Sequence, residues 1–352
     1  MDAIKISTQR HAIVSGGAGF IGSHLARRLL KENVKVTILT RNIRSPRAME
    51  LSREGADIVQ GDFAIPGGVS RACDLKSANV LYHLAADLSV SSPLLQAINV
   101  EGTRRALDLA ASLDIPYVVY ASSIEAQGLG STDEIPLSED HPCRPVSDYG
   151  ASKRDAEQVV LEWARTTSRQ ALILRIGNVY GPGSAWLLQP SLMALAGLLS
   201  LSGGWAALQH RLFQPLYIDD AVDGMLNAAS QRLVGLYNLV GEETIPVQGY
   251  LQTLAALVQM PERLSQITSE SPSPKPGQRF ADDFAYLLMG TSERCHRVYD
   301  NGKLRNAIAS YARWPLVRGL SSTLQWYYTS DHWSALLRLA QAKKGTTVCM
   351  SH

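Results

Sequence analysis

Residues His11 to Gly22 read HAIVSGGAGFIG. A short apolar run leads straight into a glycine turn, and the turn leads into a helical repeat of Ile21, Leu25, Leu29 and Leu30. Gly16, Gly19 and Gly22 are spaced G-x-x-G-x-x-G. A turn that presses backbone N–H groups against a pyrophosphate has no room for a Cβ, and the helix after it presents the positive end of its dipole. The stretch therefore predicts strand, phosphate-binding turn and helix, with Gly16, Gly19, Phe20, Ile21 and Gly22 as cofactor-contacting positions. A purely structural tight turn would use the same glycines, so the flanking pattern has to discriminate.

Outward from this stretch, strands are predicted at Val34–Thr40, Ile58–Gly61, Val80–Leu84, Tyr117–Ala121 and Ala171–Arg175, with helical segments between several of them and a long helix from about Tyr149 to Arg165. Such alternation predicts an α/β chain whose doubly wound parallel sheet, of Rossmann type, is covered on both faces. Gly181-Pro182-Gly183 breaks the pattern. The remainder of the chain mixes helices with short strands such as Tyr237–Val240 and ends in the amphipathic run Leu320–Tyr328. We divide the chain into a cofactor-binding core at 1–180 and a smaller mixed substrate-binding lobe at 181–342. About 213–240 return to the core, and a loose tail occupies 343–352.

Composition narrows the partners. The 352 residues are 45% hydrophobic and carry 34 Lys+Arg against 32 Asp+Glu, which excludes a disordered chain and provides no broad field for nucleic acid. Cys73, Cys143, Cys295 and Cys349 form no CxxC pair, so no metal site is expected and a reducing, cytoplasmic setting fits best. The opening MDAIKISTQR lacks the apolar core of a secretory signal. Trp186–Leu208 is apolar enough to raise a membrane question, but Gln189, Pro190 and the Gly203-Gly204 pair interrupt it, so no membrane span is expected. The partner is expected to be a small-molecule substrate.

The second strand ends Leu39-Thr40-Arg41, where a ribose 2′-OH would call for Asp or Glu. Arg41, with Arg44 near it, instead offers guanidinium to a 2′-phosphate. NADP(H) is therefore favoured, with NAD(H) as the alternative; a solvated loop arginine would look the same in sequence. Tyr149 and Lys153 stand four apart at the head of the long helix, on one face. An ammonium near a phenol lowers the phenol pKa and equips it to exchange a proton with an alcohol or carbonyl oxygen. Ser122 and Ser123 come after the strand Tyr117–Ala121 at the sheet edge where ligands sit.

Together these segments resemble the extended short-chain dehydrogenase/reductases of the NAD(P)-dependent epimerase/dehydratase group. The matches are SGGAGFIG at 15–22, GD at 61–62, HLAA at 83–86, NVEGT at 99–103, ASS at 121–123, YGASK at 149–153, RIGNVYGPG at 175–183 and YIDDAVDG at 217–224. The resemblance implies Ser123 as the catalytic hydroxyl, Tyr149 as acid/base, and Lys153 as its partner and ribose ligand. It places Asp62 and Phe63 beside the adenine and Ala85 and Ala86 near the nicotinamide ribose. Asn99 joins the cofactor set as a buried organiser of backbone. Ser122 is then a structural hydroxyl, His24 a packing residue, and Asp219 and Asp220 caps or lobe links.

The reaction is less constrained. In sugar 4,6-dehydratases of the group Asp-Glu comes directly after the catalytic hydroxyl, whereas here Ser123 is succeeded by Ile124 and Glu125. Dehydration is disfavoured, while Glu125 keeps proton abstraction beside a ketone open, against a bland reading as a carboxylate that only supports neighbouring groups or faces solvent. Asn178 matches a substrate-phosphate contact. Aligned through YIDDAVDG, Phe213 is taken as a substrate-side position where the resemblance to sugar 4-epimerases would place a diphosphate-clamping Arg, so that clamp is not supported, with Arg297 or Arg305 as other sources of charge. Hydride transfer at a secondary alcohol or ketone is expected, on a nucleotide-sugar or sugar-like substrate as an epimerase or ketoreductase. A reductase of a bulky polyketide, terpenoid or steroid-like ketone is the first alternative, and a non-catalytic NADP(H) sensor the second. The resemblance also implies a homodimer.

Overall fold

The computed structural model describes residues 10–69, 75, 77–89, 92–184, 188, 191–192, 210–258, 296–308 and 311–330. Most of the Trp186–Leu208 run, the segment 269–295 and the tail from 343 lie outside the described residues. A seven-stranded sheet forms the centre. Its members are β1 (His11–Ser15), β2 (Lys35–Thr40), β3 (Asp57–Gln60), β4 (Val80–His83), β5 (Tyr117–Ser123), β6 (Gln170–Ile176) and β10 (Gly235–Leu239), in the order β10-β6-β5-β4-β1-β2-β3. Every neighbouring pair is parallel. This is the doubly wound, Rossmann-type arrangement.

Burial follows the two-residue period of a strand. Ala12 and Val14 face one layer, where α1 (Phe20–Lys31), α2 (Pro46–Arg53) and α5 (Ile218–Ser230) contribute Leu25, Leu29, Leu51, Val222 and Met225. Ile13 faces the other layer, where α3 (Glu101–Ser112) and α4 (Asp148–Thr167) contribute Ala106, Leu107, Ala110, Ala156 and Val160. Both faces are covered, so the strands are continuous apolar runs.

The strand order reverses between β1 and β4, and a crevice opens beyond their carboxyl ends, as expected at such a switch point. The two ends are tied by a 2.6 Å bond between Ser15 Oγ and His83 Nδ1. Past β6, a short parallel pair, β7 (Asn178–Tyr180) and β9 (Pro215–Tyr217), extends the structure toward the second half of the chain. There β8 (Leu212–Phe213) pairs with β11 (Ile245–Pro246), succeeded by α6 (Val247–Leu257), α7 (Gly302–Ala307) and α8 (Leu316–Thr329). Asp220 accepts the Arg313 and Trp314 backbone N–H groups at 2.8 and 3.1 Å, tying α5 to the approach of α8. His24 makes a similar tie, Nε2 donating to the Pro182 carbonyl at 3.0 Å.

Candidate active site

A cavity of about 860 Å³ runs along the crevice. At one end the glycine turn forms its floor. Gly16 has φ +69, and a Cβ there would meet Ala85 N at 2.8 Å; at Gly22 a Cβ would meet the Gly16 carbonyl oxygen at 2.3 Å. The turn can be this tight only without side chains. Gly19 caps α1 with no side-chain bond and the first turn holds no acid, so the N–H groups at this helix start remain available to an anion. A dinucleotide pyrophosphate fits this cradle.

Phe20, Ile21, Arg41, Asp62, Phe63, Ala85 and Ala86 all line the same cavity. Thr40, Asn42 and Ser45 line it as well, although the sequence pattern singled out none of the three as contacts. Their signal was local: Thr40 ends β2, Asn42 and Ser45 sit on the turn to α2, and Ser45 caps α2 by accepting Ala48 N–H at 3.3 Å. Asn99 is buried and does not line the cavity. Its Oδ1 accepts the Asp87 N–H at 2.8 Å, and its Nδ2 donates to the Asp87 carbonyl at 3.0 Å and to Ser152 Oγ at 2.9 Å. It organises backbone.

At the other end Ser123, Glu125, Tyr149 and Lys153 meet. β5 runs two residues past its expected end, so that both serines belong to the strand. Ser122 also lines the cavity, but its hydroxyl is spent on Glu157, donating to Oε1 at 2.5 Å. Ser123 caps a short turn, accepting the Glu125 N–H at 3.2 Å. Ser147 caps α4 through Gly150 N at 2.9 Å and fixes the register that brings Tyr149 and Lys153 to the cavity. A Cβ on Gly150 would lie 2.3 Å from the Glu125 carbonyl oxygen, so α4 can approach the serine turn this closely only with glycine there.

Lys153 donates to the Ala121 carbonyl at 2.6 Å and lies 4.4 Å over the Tyr120 ring. Burial pushes its pKa down to about 7, opposed by the charge of Glu157 one helical turn on. Tyr149 keeps intermediate exposure as a residue, but desolvation around the phenol raises its pKa to about 12, opposed by a hydrogen bond from Ser123. Burial thus outweighs the depression of the phenol anticipated from the Tyr-Lys spacing, and Lys153 is engaged with β5 instead. His83 is driven down to about 3, first by burial and then by Lys153; Ser15 and Thr103 hold its two nitrogens at 2.6 and 3.2 Å.

Two buried ion pairs flank Ser123. Glu157 accepts from Arg175 Nε at 3.0 Å and Nη2 at 2.8 Å; Arg175 also donates to the Glu139 carbonyl and to Cys143 Sγ. Glu125 pairs with Arg297, and both are buried. Glu125 therefore does not face solvent, while a supporting role behind the reacting groups stays compatible with the pair, and Arg297 is engaged with Glu125. Arg305 pairs with Glu242 at 3.4 Å.

Asn178 lines the cavity, and its Nδ2 has no hydrogen-bond partner among the described residues. Phe213 does not reach the cavity. It is buried against Tyr250, with ring centroids 5.6 Å apart, because an aromatic ring at the β8 position is drawn into the apolar core. Among the described residues no group of three His, Cys, Asp or Glu side chains could hold a metal ion, and no helix is long and apolar enough to cross a membrane.

A doubly wound sheet with a glycine cradle at its switch point defines a dinucleotide-binding class of fold. The NAD dependent epimerase/dehydratase family matches residues 12–239, and the chain belongs to that family. A putative UDP-glucose 4-epimerase of Methanocaldococcus jannaschii is 35% identical over 174 residues, 48% of this chain and 56% of that protein. The chain spans about half the length of the first curated relatives it matches. A 2-alkyl-3-oxoalkanoate reductase of Shewanella oneidensis is 27% identical over 310 residues, 84% of this chain and 74% of that one. The UDP-glucose 4-epimerase of Thermus thermophilus, solved in complex with NAD, shares the fold with a TM-score of 0.73 at 22% identity, over 91% of this chain and 99% of that one.

Proposed function

We propose that the chain is a nicotinamide-dependent oxidoreductase acting at a secondary alcohol or ketone, of the nucleotide-sugar epimerase or sugar ketoreductase type. The observation that carries this reading is the convergence of Ser123, Tyr149 and Lys153 on the cavity that the glycine turn also lines. A nicotinamide dinucleotide bound there supplies hydride exchange. The chain's own residues do the rest. Ser123 orients the reacting oxygen, Tyr149 passes its proton, and Lys153 holds a cofactor ribose hydroxyl. A phenol at about 12 favours the protonated form, suited to donating a proton to a ketone oxygen.

NADP(H) is favoured over NAD(H), because Thr40 stands where a ribose-binding carboxylate would and exposed Arg41 lines that end of the cavity. A homodimer through α3 and α4, where Leu161 is exposed, and a cytoplasmic setting complete the proposal. So does the division into a core at 1–180, a substrate lobe at 181–342 and a tail. The second reading, a reductase of a bulky keto substrate, draws on the Shewanella relative, which matches over most of both chains.

Incubation of the purified protein with UDP-galactose tests the first reading. UDP-glucose should form without added cofactor, and acid-released oxidised dinucleotide should be found in the protein as isolated. Net consumption of NADPH with no epimer formed would select the reductase.

A further inference from the structure

The Glu125–Arg297 pair crosses 172 positions of sequence to reach the wall of the cavity. Arg297 is held by a locked backbone. His296 exchanges two bonds with Gly130 at 3.1 and 2.7 Å, Arg297 N–H donates to the Leu212 carbonyl at 2.9 Å, and Leu137 N–H donates to the Val298 carbonyl at 2.9 Å. Tyr299 N–H donates to Gln214 Oε1 at 2.8 Å and Tyr299 Oη to the Gly128 carbonyl at 2.5 Å. The guanidinium is thus presented to Glu125 by a rigid ribbon, and it engages Oε1.

The other oxygen is left over. Glu125 is 6% exposed and lines the cavity with Ser123 and Tyr149, yet its Oε2 has no hydrogen-bond partner among the described residues. A buried charged acceptor without a donor is costly, and an apolar ligand that sealed it from water would add to that cost. A ligand with a hydroxyl at this point would remove it. Asn178 Nδ2, a second unpartnered polar atom on a cavity-lining residue, supplies a donor for the same kind of ligand.

Taking the proposed hydride-transfer site as given, we infer that Glu125, oriented by Arg297, accepts a hydrogen bond from a substrate hydroxyl close to the reacting carbon. The site therefore selects a polyol or hydroxy ketone over a ketone without that hydroxyl. Glu125 touches the substrate; Arg297 is a positioning residue that acts through it. Removing either partner alone strands a buried charge, whereas removing both does not.

The experiment compares NAD(P)H-dependent reduction of 2-hydroxycyclohexanone and cyclohexanone by the full-length protein, Glu125→Leu/Arg297→Leu, Glu125→Gln and Arg297→Lys. The wild type should prefer the hydroxy ketone about 10- to 100-fold in kcat/KM, the range of a charge-assisted hydrogen bond. The double variant should bring that ratio close to one with cofactor affinity unchanged. Arg297→Lys should keep most of it, and Glu125→Gln, which retains an accepting oxygen without charge, should fall between. A purely structural role would lower both rates together and leave their ratio alone. Equal rates on the two ketones in the wild type, zero turnover included, overturn the inference without any variant. So does a ratio that survives in a folded double variant. Calorimetry with UDP and UDP-glucose separates the nucleotide question: a hydroxyl preference without UDP-glucose binding supports Glu125 and removes only the nucleotide-sugar reading.

Discussion

Two buried carboxylate–guanidinium pairs stand on either side of Ser123, and they are completed differently. Glu157 has both oxygens engaged, by Arg175 through two bonds and by Ser122, and Arg175 spends its remaining donors on Glu139 and Cys143. Glu125, which lines the cavity, has one oxygen on Arg297 and one buried without a donor among the described residues. A saturated pair is scaffold: it fixes β5, β6 and α4 around Lys153. An unsaturated pair at a cavity holds back an acceptor for whatever enters.

The largest expected break falls on the saturated pair. Arg175→Met should lower the unfolding free energy by about 3–5 kcal/mol in urea titration, since it strands Glu157 in the core. Arg297→Met should cost less, about 1–3 kcal/mol, because Glu125 lines the cavity and the space vacated by the guanidinium lies beside it. Equal losses would erase the distinction between the pairs.

Acid provides a third test. The folded His83 imidazole has a pKa depressed to about 3, below its ordinary value near 6.5. The unfolded chain therefore takes up a proton first as pH falls. The His83 contribution to stability is complete above pH 6.5 and is lost as pH drops toward 3, by up to about 1.4 kcal/mol per pH unit. His83→Asn should flatten that part of the stability profile; an unchanged slope would remove His83 as its source. The smallest effect expected is at the far end of the cavity. Arg41→Ala should weaken NADPH about tenfold, the worth of a charge-assisted bond, with little change for NADH; equal weakening would contradict a phosphate contact.

Much of the fold and part of the site are legible in the amino-acid sequence alone. The sheet and its alternation with helices can be read outward from HAIVSGGAGFIG, because apolar period and glycine position report backbone geometry directly. Tyr149 and Lys153 are legible because they lie one helical turn apart. Glu157 carries a partial signal, as the next residue on the same helical face, but its partner Arg175 closes an otherwise apolar strand and reads as a solvated end. Glu125 and Arg297 lie in segments with no shared period, so only the fold brings them together. Phe213 is assigned to the substrate by its offset from YIDDAVDG, and β8 turns it into the core instead. Two-residue strands are set by tertiary pairing, which offset along the chain does not encode.

Central to the proposed chemistry is Tyr149 handling the proton at the reacting oxygen. Tyr149→Phe removes one oxygen atom and leaves the glycine cradle untouched. Turnover of UDP-galactose or 2-hydroxycyclohexanone by this variant should fall by a factor of about 10² to 10⁴ or more, while NAD(P)H affinity measured by fluorescence titration stays within about twofold. Turnover within tenfold of the wild type, with cofactor still bound, would contradict it.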